Sequence, residues 1–416
     1  MIMNKPRILL YSDGVLFGGS EYVVVNILKN EKLSDKYDFY FAYRKHSDYQ
    51  AHIESLFSLG ERNNLYPLRV WSLDNFYGIV DKRFKGAFIK KLIKTTISIC
   101  TRLQICNIYN YFYLKHFLKG KEYNLIHINN GGYPGAESCL VMAKIAKDLD
   151  FKVIMQINNI PSPSKKYWDP IIKKSVDRFI IASKYTSSII SSFRDITNGN
   201  VYTLRDHIKE EKITIDSQEL REQLGVSTDS IVLIQVALLL RYKGQIYSLE
   251  AMGYLRESNP EFFKKVVLIL IGDGEMEEEL KKYIIENDLS EHVKMLGYRN
   301  DYIDYINMAD IMVHPSRANE DMPLIIMSAM SLKKPVISCN FAGIPEEVEH
   351  LKSGYLIDPQ STHFIEDLSK AIQITYENRD EYGRRGKEIF DTEFSEKQYE
   401  LGLSSLYDSF LNSHKD

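Results

Sequence analysis

The stretch DIMVHPSRANEDMPLIIMSAMSLKKPVISCNFAGIPEEVEHLKSGYLIDP, residues 310–359, reads as strand, loop, helix, strand, glycine-bearing loop, short helix and strand. Strands joined through helices run parallel, because a parallel pair needs a long crossover connection. Pro323 suits the first position of the helix, where its missing N–H costs no hydrogen bond. Glu320 precedes it, beyond the carboxyl end of a strand, which is where open α/β sheets bind ligands.

The same alternation extends through the chain. On the N-terminal side lie IVLIQVA (231–237), VVLILIG (266–272) and HVKMLG (292–297), and near-continuous apolar runs of this kind suit strands buried on both faces. A charge-dense segment, 209–230, interrupts the pattern. Before it come PRILLYS (6–12), DFYFAYR (38–44), NLIHINN (124–130), FKVIMQINN (151–159), DRFIIAS (177–183) and VYTLRD (201–206). The expected architecture is α/β, with two doubly wound Rossmann-like domains facing across a cleft. Their boundaries are an N-terminal domain 1–208, a linker 209–229, a C-terminal domain 230–393, and a C-terminal helix 394–416 returning towards the N-terminal domain.

A chain of 416 residues exceeds one ordinary domain, in keeping with two. Hydrophobic residues at 44% and charged residues at 26% argue against a disordered, collagenous or membrane-embedded chain. A net charge of −3 supplies no field for gathering nucleic acid. Cys100, Cys106, Cys139 and Cys339 lack the spacing of a zinc site or a disulfide framework and read as reduced, mostly buried thiols. MIMNKPRILLYS has none of the features of a secretory signal, so a cytoplasmic protein is expected. The longest apolar run, 231–240, is half the roughly 20 residues of a membrane span.

One segment departs from this balance. Residues 82–121 hold ten Lys or Arg and no Asp or Glu, leaving 43 basic against 56 acidic charges elsewhere, a net −13. At helical spacing Lys90 and Lys94 share a side with Ser98 and Thr101, opposite a broad apolar face that includes Phe88, Ile89, Leu92 and Ile93. Such a helix either lies in an anionic membrane surface or buries its apolar face on other helices.

The loops after the strands carry the candidate chemistry. YSDGVLFGGSEYVV places Gly14, Gly18 and Gly19 between a strand and a helix, with Ser20 as the expected N-cap; backbone amides there would approach a phosphate or form a structural turn. The G-x-G-x-x-G dinucleotide spacing is absent. After IVLIQVA, Arg241, Lys243 and Gly244 stand before another helix, where a cation can neutralise a diphosphate. IGDGEMEEEL puts three glutamates in a first helical turn, which would repel a phosphate, so the loop reads as structural or base-contacting.

Taken in order, GGSE (18–21), DRFIIAS (177–183), YKGQ (242–245), IGDGE (271–275), VKMLGY (293–298), HPSRANED (314–321), PVIS (335–338) and GIPEEV (343–348) resemble the retaining glycosyltransferases of family four, with the GT-B fold. The resemblance spans nearly the whole chain. It implies a sugar transferase using a nucleotide-sugar as substrate, with no cofactor and no metal, acting in cell-surface polysaccharide synthesis. It further implies that Lys243 holds the donor diphosphate and Glu320 a hydroxyl of the donor sugar, as the catalytic pair. Gly18, Gly19, Arg241, Gly297, Asp321, Met322, Pro323, Leu324 and Ser328 would line the donor, with Leu296 to Tyr298 beside the base and Asn158 and Asn159 on the sugar or acceptor side. The implied partners are a nucleotide-sugar and a glycan or lipid-linked glycan, to which the basic segment 82–121, read on its own residues, adds an anionic membrane surface at the inner face.

The chain departs from the family where Ser328 replaces a second glutamate eight residues after the first, where Leu238 replaces an arginine, and where Asn158 and Asn159 stand in place of a histidine. A hydroxyl cannot reproduce a two-point carboxylate contact to a ribose diol. A non-catalytic GT-B protein binding a glycan, nucleotide or partner transferase is therefore the alternative reading. A GT-B epimerase is a third, for which no acid–base pair stands out.

Overall fold

A computed structural model describes residues 5–14, 18–72, 80, 83, 86–102, 104–162, 167–194, 196, 198–210 and 212–412. Lys82, Phe84, Lys85 and Leu103 of the basic segment lie outside them. Among the described residues the strands form two sheets, every registered pair parallel. The first contains β1 (Arg7–Ser12), β2 (Asp38–Arg44), β3 (Leu65–Leu68), β4 (Leu125–Asn130), β5 (Lys152–Ile157), β6 (Arg178–Ile181) and β7 (Val201–Thr203), in the order β3-β2-β1-β4-β5-β6-β7. The second contains β8 (Ile231–Val236), β9 (Val266–Ile271), β10 (Val293–Met295), β11 (Ile311–His314), β12 (Val336–Cys339) and β13 (Gly354–Ile357), in the order β10-β9-β8-β11-β12-β13.

The apolar runs account for these strands. All six residues of β9 are buried, as are those of β4, because helices cover both faces. β3 was not anticipated: LYPL is short and contains Pro67, which cannot donate to a sheet ladder and is tolerated because β3 is an edge strand.

The chain divides into two compact units, Met1–Leu204 with Glu400–Asp416, and Arg205–Tyr399. Residues 209–229, read from sequence as a linker, fall within the second unit and include the helix Ser217–Gln223, whose N-cap Asp216 accepts from the N–H groups of Gln218 and Glu219. The last helix, Glu396–Leu411, contributes residues from Glu400 onward to the first unit. There Tyr407 is fully buried with its hydroxyl 2.7 Å from His127 Nδ1 on β4, and Tyr37 donates to Asp408 at 2.7 Å. Burial holds the His127 imidazole down to about 4, so it stays neutral.

Cys139 and Cys339 are buried and Cys106 is partly exposed, all three as thiols; nothing is described of the Cys100 side chain. No helix among the described residues is long and apolar enough to cross a membrane.

Candidate functional site

In the second unit the strand order reverses between β8 and β11, and the loops leaving their carboxyl ends, 237–244 and 315–323, lie at the position where such sheets bind ligands. Backbone and side chain tie the two loops together. Ser316 Oγ and the Arg317 N–H each donate to the Tyr242 carbonyl at 3.2 Å. Gly244 has φ +78°, and a Cβ added to it would come 2.5 Å from the Pro315 carbonyl oxygen, so glycine is what permits the approach. Buried Gln235 on β8 donates to the Lys243 carbonyl at 2.9 Å and accepts from Ser248 at 2.8 Å. Gln245 donates to the Leu238 carbonyl at 3.0 Å.

This frame brings Lys243 and Glu320 together: the ammonium donates to Glu320 Oε1 in an ion pair whose side chains are 17% and 9% exposed. His314, at the end of β11 and 1% exposed, holds Nε2 3.4 Å from the same oxygen, and its Nδ1 has no hydrogen-bond partner among the described residues. Burial pushes the Glu320 carboxyl up, but His314 and Lys243 outweigh it and hold it well below the usual carboxylate range. Glu320 is thus an ionised acceptor kept inside the protein by the adjacent Lys243 ammonium and His314 imidazole.

Beyond it, Asp321 and Met322 are buried. Pro323 is the N-cap rather than the first helical residue expected: its ψ of 116° is extended, and the helix runs Leu324–Ser331. That helix has no side-chain cap and no acidic residue in its first turn, so its leading amides remain able to meet an anion. Ser328 is buried and donates to the Leu324 carbonyl at 3.2 Å, so its one proton is spent inside the helix. Arg241 is turned outward, paired with Glu279 at 3.0 Å and 71% exposed. Gly297 takes φ +66° and its carbonyl accepts from Gly272, while Asp273 accepts from the Tyr298 N–H at 2.8 Å; these contacts shape the edge after β10.

An acidic group beside this site escaped the sequence reading. Glu347 is 1% exposed, neither carboxylate oxygen has a hydrogen-bond partner among the described residues, and burial first, then Asp321 and Glu320, push its carboxyl well above the ordinary range. Burial, then Asp321, raises Asp206 to about 7. Arg205 donates to Glu346 at 2.6 Å and lies 3.5 Å from the Met322 sulfur. The doubled glutamate of GIPEEV was the available signal.

In the first unit the order reverses between β1 and β4. Gly18 is the N-cap of the helix Gly19–Lys29, and Ser20, expected as the cap, lies inside the first turn and donates to Glu21 at 2.6 Å. Asn129 donates to the Ser20 carbonyl at 2.9 Å, Asn158 donates to Asn129 Oδ1 at 2.7 Å, and Asn159 donates to the Gly131 carbonyl. The asparagines therefore join the ends of β4 and β5 to the glycine loop after β1.

Residues 216–389, which contain Lys243, Gly297, Glu320 and Ser328, match the family described as glycosyl transferases group 1. The match covers less than half of the chain, so it is this domain, residues 216–389, that is similar to the glycosyl transferases group 1 family.

Its curated relatives include the UDP-Gal:alpha-D-GlcNAc-diphosphoundecaprenol alpha-1,3-galactosyltransferase of Escherichia coli, 34% identical over 35% of this chain and 37% of that protein. The amylovoran biosynthesis glycosyltransferase AmsK of Erwinia amylovora is 35% identical over 30% and 31%. The chain spans about a third of the length of these curated relatives. Among solved structures, Anabaena Alr3699/HepE in complex with UDP is similar over 97% of this chain and 100% of that chain, with TM-score 0.73 and 19% identity. That likeness is one of fold, and the fold of this chain is GT-B, with two parallel α/β sheets and a long C-terminal helix.

Proposed function

We propose that the chain transfers a sugar, with retention, from a nucleoside diphosphate sugar to a lipid-linked glycan in cell-surface polysaccharide synthesis. The observation that carries this is the buried Lys243–Glu320 pair at the strand switch, beside an uncapped helix start. Lys243 and the leading amides of Leu324–Ser331 would neutralise the departing diphosphate. Glu320, held ionised, would accept a hydroxyl of the transferred sugar. A uridine donor and a lipid-linked acceptor are the choices suggested by relatives: Alr3699/HepE was solved with UDP-glucose, and the E. coli relative is named for a UDP-sugar and a diphosphoundecaprenol acceptor.

Titration calorimetry and thermal denaturation with nucleoside diphosphates and their sugar conjugates test the reading. UDP and one UDP-sugar should stabilise the protein, by about 2.7 kcal/mol at 100 times Kd. Lys243→Ala should weaken both by about 1.5–3 kcal/mol, roughly 10- to 150-fold, through loss of a charge-assisted contact. Ser328, with its proton spent, and the outward Arg241 favour a second reading, a non-catalytic GT-B protein. Absence of any nucleotide-dependent shift in the folded protein would favour it.

A further inference from the structure

The first unit carries an apolar face that its own packing leaves open. In the helix Ile105–Leu118, Asn107, Asn110, Leu114 and Leu118 point inward and are buried, whereas Ile105, Ile108 and Phe112 are 43%, 54% and 67% exposed. These three fall at i, i+3 and i+7, a single stripe, and the same stripe continues into Lys115 and Lys119. Tyr167, 64% exposed, joins Ile108 and Phe112 around a cavity of about 190 Å³ whose wall includes Tyr111, Trp168 and Ile171. An apolar cavity of about 150 Å³ already admits benzene, so this one has room for several methylene groups. Trp168 is 5% exposed, and its indole N–H has no acceptor among the described residues.

The neighbouring helix, Ala87–Arg102, packs against Ile105–Leu118 and exposes Ile89 and Leu92, one turn apart, at 50% and 60%. Lys90, Lys91 and Lys94 flank them, and no acidic residue occurs from 82 to 121. Burial of the whole apolar face on other helices is thus not what the structure shows at Ile89 and Leu92. Exposed bulky apolar groups with lysines beside them, in a chain whose remainder is acidic, complement a surface that is oily beneath and negative on top.

We propose that this face, Ile105, Ile108, Phe112 and Tyr167 with the lysines of 90–94 and 115–119, docks on an anionic phospholipid bilayer, an acyl chain entering the cavity behind Phe112. The lysines meet the headgroup phosphates, and Trp168 lines the cavity that the acyl chain enters. The inference does not depend on which sugar is transferred or on whether one is.

Vesicle flotation of the full chain tests it, with vesicles of phosphatidylcholine alone or mixed with phosphatidylglycerol and no glycolipid present. Recruitment should require the anionic lipid, fall as salt rises, and drop at least tenfold for Phe112→Asp and for Lys90→Ser/Lys91→Ser/Lys94→Ser. Phe112 and Lys91 are exposed and Lys90 and Lys94 half-exposed, and unchanged circular dichroism and nucleotide binding would show the variants folded. Trp71→Phe leaves Trp168 as the sole tryptophan. Its fluorescence should be quenched by vesicles with brominated acyl chains. Failure of anionic vesicles to recruit the folded chain overturns the proposal, as do recruitment unaffected by Phe112→Asp and unquenched Trp168 on bound protein. A dimer that Phe112→Asp dissociates and that vesicles do not bind would likewise assign the face to a second copy.

Discussion

At the scale of single residues, the site sets one carboxylate against another. Glu320 keeps its charge because Lys243 and His314 face it, whereas Glu347, with Asp321, Glu320 and Asp206 around it and Arg205 engaged by Glu346, is better off neutral. A carboxyl whose folded pKa is raised binds a proton in the folded chain that the unfolded chain has already released. Its favourable contribution is therefore complete below about 4.5 and is lost as pH rises through the folded value. Glu347→Gln removes that loss, and since neither carboxylate oxygen accepts a hydrogen bond, the amide forfeits none. Urea denaturation should find the variant equal to the parent near pH 4 and more stable at pH 8, each tenfold change in proton affinity being worth about 1.4 kcal/mol. His207, buried and held at about 4, works in the opposite sense, losing stability as pH falls from 6.5, but it is common to both proteins and cancels. A variant less stable at pH 8 would mean that Glu347 is charged and bound to a cation.

At the scale of elements, the loop between β8 and the helix Gln245–Ser258 decides where Lys243 stands. Gly244→Ala forces a side chain into φ +78° and into the Pro315 carbonyl, so it should cost about 2–3 kcal/mol and weaken nucleotide binding by at least tenfold. Gly253→Ala in the same helix meets nothing within 4 Å and should instead stabilise by about 0.5–1 kcal/mol. Melting curves and nucleotide titration on the pair would show whether the loop, and not helix content, carries the effect; equal outcomes would refute it. The strands themselves were legible because apolar runs such as VVLILI can only be buried on both faces. β3 was not, since a proline-bearing edge strand of four residues has little periodicity. Lys243 and Glu320 could be marked separately from their loops, but their pairing across 77 residues depends on β8 lying beside β11. The same holds for His314 and Glu347, whose meaning comes from what the register places opposite them. Arg241 could be placed on the right loop but not oriented, because an exposed side chain answers to whichever charge is nearest, here Glu279.

At the scale of the whole molecule, the first unit is discontinuous: residues up to Leu204 build its sheet and the returning segment from Glu400 adds a helix, while Arg205–Tyr399 forms a unit without interruption. The returning segment buries Leu403, Leu406 and Tyr407, with Tyr407 against His127 and Tyr37 bonded to Asp408. Gly402 approaches so closely that an added Cβ would lie 2.6 Å from Leu204 Cδ1. Burying three such side chains is worth roughly 5–9 kcal/mol, comparable with the whole stability of an ordinary domain. Ending the chain at Tyr399 should therefore abolish the cooperative unfolding of the first unit and expose it to limited proteolysis. The second unit, holding Lys243 and Glu320, should keep its own transition and its stabilisation by nucleotide. Calorimetry with and without UDP separates the two. A truncated chain with the parent's full unfolding enthalpy would show that the returning helix only decorates the first unit, and loss of the nucleotide-dependent shift would show that the second unit cannot fold without it.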